Sequence, residues 1–189
     1  MASELKGLRI AFLTSNEGVE QAELTAPWQA VKDAGGTAEL IAPRSGEVQA
    51  FNHLEAGDTF TVHRTLQDTD VTEYDAVVVP GGVANGDFLR GTPGAVRFMQ
   101  RMFEARKPAA VICHGPWVLV EGDLVRGRTL TSWPTLQTDI RNAGGRWVDT
   151  EVQVDENAPN TLITSRKPDD LPAFCETLVQ VFARQSQAA

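Results

Sequence analysis

The strongest constraint on the fold is a set of short apolar runs that do not alternate with polar residues. They are LRIAFLT (Leu8–Thr14), YDAVVVPGG (Tyr74–Gly82) and AAVIC (Ala109–Cys113). Strands of this kind are buried on both faces, as in a parallel sheet covered by helices. Apolar residues at helical spacing fill the segments 21–34 and 93–108. The chain is therefore predicted to form an α/β fold, a mostly parallel sheet with helices on both faces.

The remaining segments fit the same plan. SNEGVE is interpreted as an acidic turn, TAELIAP as a second strand, and residues 44–71 as a surface excursion with one or two short alternating strands. RTLTSW, EVQVD and TLITS are further short strands, whereas GPWVLVEGDL, LQTDIRNAGG and DDLPAFCETLVQVFARQ are helices. No repeat, low-complexity tract or linker divides the chain. Residues 1–189 are thus predicted to be one domain.

Composition excludes several classes of protein. The 189 residues are 42% hydrophobic and 22% charged, with a formal charge of -8, which is typical of a soluble globular protein and disfavours non-specific binding to nucleic acid. The N-terminus has no signal-peptide pattern, and no run reaches the ~18 apolar residues that span a bilayer. Two cysteines form no disulfide framework. We therefore expect a cytoplasmic protein without a membrane partner.

The common cofactor and metal motifs are absent. PGGVANG is not GxGxxG, and neither GxxxxGK[ST] nor the serine-hydrolase motif GxSxG occurs. His53, His63 and His114 are scattered, and the chain has no CxxC or HExxH. The sequence accordingly predicts no cofactor and no metal site.

The segment ICHGP places Cys113 directly after a predicted strand. Ligands of open α/β sheets bind beyond the carboxyl ends of the strands, and Gly115 provides the small residue that a tight turn needs. The N-terminus of the following helix is expected to favour the thiolate over the thiol. The alternative is that Cys113 packs as a small apolar residue beside a turn histidine. Cys175, between Phe174 and Leu178, is expected to pack in this way.

Four segments together carry a family resemblance: ICHGP, VVVPGG, TSNEGVEQAEL and SRKPDDLPAF. They resemble the PfpI family (protease I, intracellular protease/amidase), within the class I glutamine amidotransferase-like superfamily that also holds the Parkinson-disease protein deglycase. The resemblance runs from Leu8 to Phe182. It implies a flavodoxin-like three-layer sandwich with Cys113 on a nucleophile elbow.

The resemblance also implies roles for individual residues. His114 corresponds to the base, and Asp87 to a carboxylate that orients this base, often across a subunit interface. The segment VANG before Asp87 is one residue longer than the usual spacing. The alternative for Asp87 is an N-cap of a helix that begins near Phe88. The backbone N–H groups of Gly82 and His114 correspond to the donors that bind an oxyanion.

Glu23 corresponds to a family glutamate that hydrogen-bonds the cysteine sulfur, with Glu20 as a neighbouring candidate. A carboxylate against a thiolate would be repulsive, so a Glu23 in contact with the sulfur should be protonated, its pKa raised by burial and by the sulfur. The alternative for both residues is a solvated carboxylate in the first turn of a helix.

The resemblance implies a stress-related enzyme in which the Cys113 thiolate attacks an electrophilic carbonyl. Its substrate would be a small carbonyl compound, such as methylglyoxal or glyoxal, or a glycated protein or peptide. The alternatives are an intracellular cysteine peptidase or amidase, a redox-sensing stress chaperone that uses oxidation of Cys113, and a binding module with a vestigial site. A homo-oligomer, at least a dimer, is expected if Asp87 acts across an interface.

Overall fold

The computed structural model describes residues 4–157 and 159–187. In chain order the strands are β1 Arg9–Leu13, β2 Glu17–Glu20, β3 Thr37–Ala42, β4 Glu47–Asn52, β5 Glu55–Thr61, β6 Arg64–Thr65, β7 Ala76–Val79, β8 Ala109–Ile112, β9 Thr129–Leu130, β10 Arg146–Trp147, β11 Val152–Asp155 and β12 Leu162–Ser165. The helices are α1 Gln21–Asp33, α2 Val83–Arg90, α3 Pro93–Glu104, α4 Pro116–Glu121, α5 Gln137–Asn142 and α6 Leu171–Gln187.

The central sheet has the strand order β11-β12-β8-β7-β1-β3-β6. All neighbours in it are parallel except β11, which pairs antiparallel with β12 at one edge. The apolar runs of the sequence form β1, β7 and β8, the three adjacent strands in the middle of this sheet. The mostly parallel sheet that these runs predict is therefore confirmed.

Helices cover both faces of the central sheet. In β1, Ile10 and Phe12 pack in one apolar core with residues of α1 and α6, such as Phe174. Ala11 and Leu13 point the other way and pack in a second core with residues of α3, α4 and α5. Because successive side chains of a strand face opposite sides, one apolar run serves both cores. The result is the predicted three-layer sandwich.

The segment SNEGVE does not form the acidic turn that the sequence predicted. Glu17–Glu20 is strand β2 and not a turn, and it lies in a separate three-stranded sheet with β4 and β5. Its pairing partner β4 begins about thirty residues later, so a local pattern could not reveal it. Gly18 has φ +93° and lies so close to α2 that a Cβ there would be 2.6 Å from the Cβ of Ala84. The correction matters because β2 leads into the candidate site.

Arg128 makes a buried polar network near the edge of the sheet. Its side chain is 3% exposed, its Nε donates to Asp155 Oδ1 at 3.0 Å, and its Nη1 donates to Asn160 Oδ1 at 2.7 Å. Asp155 also accepts the backbone N–H of Thr129, and Asn160 donates to the carbonyl of Lys107. The network joins β9, β11 and the loops that precede β8 and β12. No motif in the sequence indicated it.

The helices were also compared with the requirements of a membrane span. Across residues 4–157 and 159–187, none combines the length and the hydropathy needed to cross a bilayer.

Candidate active site

Cys113 lies at the carboxyl edge of the central sheet, directly after β8. Its φ of 63° is in the left-handed region, which costs a non-glycine residue roughly 1–2 kcal/mol. Gly115 completes the turn, since a Cβ there would lie 2.9 Å from the carbonyl oxygens of Ile112 and Val79. Pro116 then begins α4. The strand, the strained residue and the helix form a sharp elbow that places Cys113 at the floor of a pocket.

Gly115→Ala is expected to destabilise the protein by about 1–3 kcal/mol, because the added methyl group meets two backbone carbonyls that cannot rotate away. Urea unfolding followed by circular dichroism measures this loss. Gly91→Ala is the matched control, since a Cβ there meets its nearest atom at 3.4 Å and Gly91 has the right-handed backbone that alanine also adopts. Equal losses in the two variants would contradict the steric explanation of the elbow.

Glu23 is fully buried beside the sulfur. Its Oε2 accepts the backbone N–H of Gly81 at 2.8 Å, and its Oε1 has no nitrogen or oxygen partner among the described residues. The carboxyl group and the Cys113 side chain lie on either side of Gly81, and each influences the pKa of the other. Only glycine fits at position 81, because a Cβ would collide with Glu23 Oε2 and lie 2.5 Å from the Cβ of Cys113. Burial raises the pKa of Glu23 to about 8, so its carboxyl group is protonated at neutral pH.

Burial and hydrogen-bond donors act on the sulfur of Cys113 in opposite directions. Burial raises the pKa of the Cys113 thiol, and a charged Glu23 carboxylate raises it further. The backbone N–H groups of Gly82 and His114 donate to the sulfur and act in the opposite direction. The prediction that the helix N-terminus favours the thiolate stays a prediction, since these N–H groups lower the pKa of the thiol whereas burial raises it.

The imidazole of His114 lies against the sulfur and between two indole rings. Its Nδ1 is 3.2 Å from Cys113 Sγ. The ring centroids of Trp117 and Trp133 are 5.2 Å and 5.6 Å away, and Trp133 is stacked. Burial among these rings lowers the pKa of His114 to about 4, so the imidazole is neutral. With its proton on Nε2, Nδ1 can accept the thiol proton.

The shifted pKa values of the Glu23 carboxyl group and the His114 imidazole predict how the free energy of unfolding changes with pH. Folded Glu23 keeps its proton from pH 4.5 to about 8, so stability falls as pH rises through that window. The lowered pKa of His114 acts in the opposite direction between about pH 4 and 6.5, where stability rises with pH as the unfolded imidazole loses its proton. From pH 6.5 to 8 only the Glu23 effect remains, and the wild type should lose about 2 kcal/mol of unfolding free energy.

Glu23→Gln should remove that decrease, because the amide carries no titrating proton. Urea midpoints between pH 6.5 and 8 measure the slope. Glu104→Gln, which changes an exposed glutamate of α3, is the control and should keep the wild-type slope. A Glu23→Gln variant with the wild-type slope would show that Glu23 is already ionised at pH 6.5.

The position of Asp87 excludes the alternative that this residue caps a helix. Helix α2 begins at Val83, with Gly82 at the N-cap position, so Asp87 lies inside the helix and is not its cap. The side chain is exposed and lines the pocket. Among the contacts described for residues 4–157 and 159–187, none is a hydrogen bond between Asp87 and His114. The neighbouring Gly86 packs directly on His114, since a Cβ there would be 2.6 Å from the His114 carbonyl oxygen.

Glu20 lies at the mouth of the same pocket. It is the last residue of β2, its Oε2 accepts the backbone N–H of His53 at 3.1 Å, and its own N–H donates to the Gly81 carbonyl at 3.2 Å. The structure thus brings together every residue that the sequence singled out for the site: Cys113, His114, Glu23, Glu20, Gly82 and Asp87.

Sequence reasoning missed several side chains that line this pocket of about 600 Å³, namely Phe51, His53, Leu54, Trp117, Trp133 and Pro168. Trp133 could have been found, since it follows the RTLTS segment at a predicted strand end. The tip of the β4–β5 hairpin, His53-Leu54, gave no such signal. As for metals, no group of three or more His, Cys, Asp or Glu within the described residues is arranged to hold an ion.

Comparison with known proteins places this arrangement in a family. The model of the DJ-1/PfpI family matches residues 8–181, which is most of the chain. This chain is a member of the DJ-1/PfpI family. The resemblance seen in ICHGP and the three accompanying segments is therefore confirmed.

Two relatives of this DJ-1/PfpI protein match it over nearly their full length. Protein/nucleic acid deglycase 2 of Escherichia coli is 37% identical over 166 residues, which are 88% of this chain and 92% of the relative. YraA of Bacillus subtilis, named provisionally as a cysteine protease, is 34% identical over 166 residues, 88% of this chain and 93% of the relative.

A solved structure shows the same fold in this family. It is a two-domain protein of Anabaena variabilis that contains DJ-1/ThiJ/PfpI-like and ferritin-like domains, with a TM-score of 0.84 and 34% identity. The match covers 92% of this chain and 47% of that protein. The flavodoxin-like α/β fold expected of this DJ-1/PfpI chain is confirmed.

Proposed function

We propose that this chain is a cysteine-dependent hydrolase of reactive carbonyl compounds, of the glutathione-independent glyoxalase or protein deglycase type. One observation carries the proposal: the carboxyl group of Glu23, the imidazole of His114 and two backbone N–H groups all converge on the sulfur of Cys113 in one pocket. The name of the Escherichia coli relative supports a deglycase. Convergence of this kind provides a nucleophile, a proton acceptor and donors for a developing oxyanion.

In the first step, the sulfur forms a bond to the aldehyde carbon of an α-oxoaldehyde. The thiol proton passes to His114 Nδ1, 3.2 Å away, so the nucleophile is generated only as it reacts. The aldehyde oxygen takes up negative charge next to the N–H groups of Gly82 and His114 and then receives a proton. Each such donor is typically worth ~3 kcal/mol of transition-state stabilisation. The product is a hemithioacetal on Cys113.

In the second step, the hydrogen on the aldehyde carbon leaves as a proton, and the neighbouring ketone carbon gains a proton. The hydroxyl group of the hemithioacetal also loses its proton and becomes the thioester carbonyl, while the ketone oxygen gains a proton and becomes a hydroxyl group. This converts the hemithioacetal into a thioester of a 2-hydroxy acid without any external oxidant. Water then cleaves the thioester and restores the thiol, so methylglyoxal plus water becomes lactate. His114 and Glu23 are the two groups beside the sulfur that can carry these protons.

A peptidase or amidase is the second candidate, favoured by the provisional name of the Bacillus subtilis relative. The same sulfur would then attack a peptide carbonyl. Parallel assays of the purified protein separate the two, with lactate measured from methylglyoxal and fluorescence from a quenched peptide. Lactate formation without peptide cleavage is expected. Cysteine-dependent cleavage of the peptide alone would replace the glyoxalase or deglycase proposal with the peptidase.

Oxidation of Cys113 is a third candidate, favoured by the protonated Glu23 that can donate a hydrogen bond to a sulfinate oxygen. Two equivalents of peroxide would convert the thiol into the sulfinic acid and release two waters. Peptide mass spectrometry after sub-stoichiometric peroxide measures this reaction. A redox role is favoured if Cys113 gains two oxygens and the unoxidised protein turns over neither substrate.

A further inference from the structure

Three acidic side chains line the pocket. They are Glu20, Glu23 and Asp87, and no lysine or arginine is among the described residues that line it. Glu23 is protonated at neutral pH, which leaves Glu20 and Asp87 as the charged carboxylates. Glu20 is held at the mouth by the N–H of His53, and Asp87 is exposed on α2.

The aromatic walls of the pocket are suited to a cation. Phe51, Trp117 and Trp133 line it, and the negative face of an aromatic ring attracts ammonium and guanidinium groups. Trp117 already binds one, because the guanidinium carbon of Arg90 is 5.3 Å from its ring centroid. Arg90 does not line the pocket, and its charge is balanced by Glu121 at 4.0 Å.

The floor of the pocket offers one unused polar atom. Oε1 of Glu23 is completely buried and has no nitrogen or oxygen partner among the described residues. A hydroxyl or amine on the carbon attached to the sulfur can hydrogen-bond to it. The pocket therefore combines a polar floor, aromatic walls and a negatively charged mouth.

We propose that Glu20 and Asp87 form an anionic rim at the pocket. This rim selects carbonyl adducts of basic peptides, whose ammonium and guanidinium groups it attracts, over carbonyl adducts of anionic molecules such as nucleotides. This inference rests on the proposed function, which supplies the reaction, whereas the selectivity comes from the rim. A pocket lined by charges of one sign concentrates ligands of the opposite sign, and the net charge of -8 adds to this effect. The selected substrate class is thus a glycated basic peptide.

Charge-selective labelling of Cys113 tests the rim without any turnover. The probes are three methanethiosulfonates with a cationic trimethylammonium, a neutral methyl and an anionic sulfonate group. Peptide mass spectrometry separates Cys113 from Cys175, and each rate is divided by that of a free model thiol. We expect the wild type to favour the cationic over the anionic reagent by about tenfold or more at low salt.

Glu20→Gln and Asp87→Asn should each reduce that preference about threefold, and the double variant should abolish it. Added salt should reduce the preference in the wild type, because Asp87 is exposed to solvent and Glu20 is half-buried. Glu104→Gln is the control and should leave the preference unchanged. The proposed rim would be contradicted if the wild type showed no preference for the cationic reagent, or if the double variant kept that preference.

Turnover of methylglyoxal-treated peptides and nucleotides provides the second arm. A basic peptide should be processed faster than a methylglyoxal-treated nucleotide, and the double variant should narrow the difference. Faster processing of the nucleotide would overturn the selectivity. If labelling is charge-selective but no carbonyl compound is turned over, the proposed function fails and the rim stands. If turnover occurs but labelling is insensitive to charge, the rim alone fails.

Discussion

Cys113→Ser is expected to lower kcat/KM for methylglyoxal by about 10³-fold or more. The serine hydroxyl occupies the same position at the elbow and meets the same donors, but it is a far weaker nucleophile than sulfur, and a neutral His114 is too weak a base to activate it. The loss should appear in kcat, because the substitution removes the bond-forming atom and leaves the pocket unchanged. Lactate release from the purified variant measures it.

Cys175→Ser is the matched control. Cys175 is half-buried on α6 and does not line the pocket, so its substitution should leave kcat/KM within about twofold of the wild-type value. Unfolding curves show that both variants are folded. Lactate formation at the wild-type rate by Cys113→Ser would exclude Cys113 as the nucleophile.

Arg128→Met is expected to lower the free energy of unfolding by about 3–5 kcal/mol. The substitution keeps a long apolar side chain but leaves Asp155, which is 2% exposed, as a buried carboxylate without its cation. Asn160 also loses its donor from Arg128. Urea unfolding measures the change.

Arg126→Met serves as the comparison for this effect. Arg126 pairs with Asp123 at 3.1 Å, but both side chains are about two-thirds exposed, so the loss should stay below about 1 kcal/mol. Adding Asp155→Asn to Arg128→Met should recover part of the loss, since the amide oxygen can still accept the N–H of Thr129 and carries no charge. A loss below about 1 kcal/mol in Arg128→Met would contradict the buried ion pair.

The sheet could be predicted where the signal is local. Runs such as AVVV and AAVI are apolar at every position because both of their faces are covered, and this can be read from the residues alone. Strand β2 could not be predicted in this way, because EGVE becomes a strand only by pairing with β4. The prediction of one domain over residues 1–189 stays a prediction.

The site could be predicted where it depends on chain order at the sheet edge. Cys113 could be predicted because it follows β8, a parallel strand of the central sheet, and ligands of such sheets bind beyond the strand ends. Gly82 and Glu23 were predicted from the family resemblance. The rise in the pKa of the Cys113 thiol could not be predicted, because it comes from burial, which the sequence does not display. His53 was missed because the tip of a hairpin brings it to the pocket, whereas Trp133 was overlooked although it lies at the end of a predicted strand. Action of Asp87 across a subunit interface stays a prediction.

The raised pKa of Glu23 also sets the pH range in which the site can both donate and accept a proton. At neutral pH the carboxyl group carries its proton and the imidazole of His114 is uncharged, so neither places an ion against the sulfur. The proton on Glu23 is then available to an atom of the substrate, and the neutral imidazole is available to accept a proton. Above about pH 8 the carboxyl group ionises and places a negative charge beside Cys113. The donor is therefore lost on the alkaline side, whereas the acceptor is lost only below about pH 4.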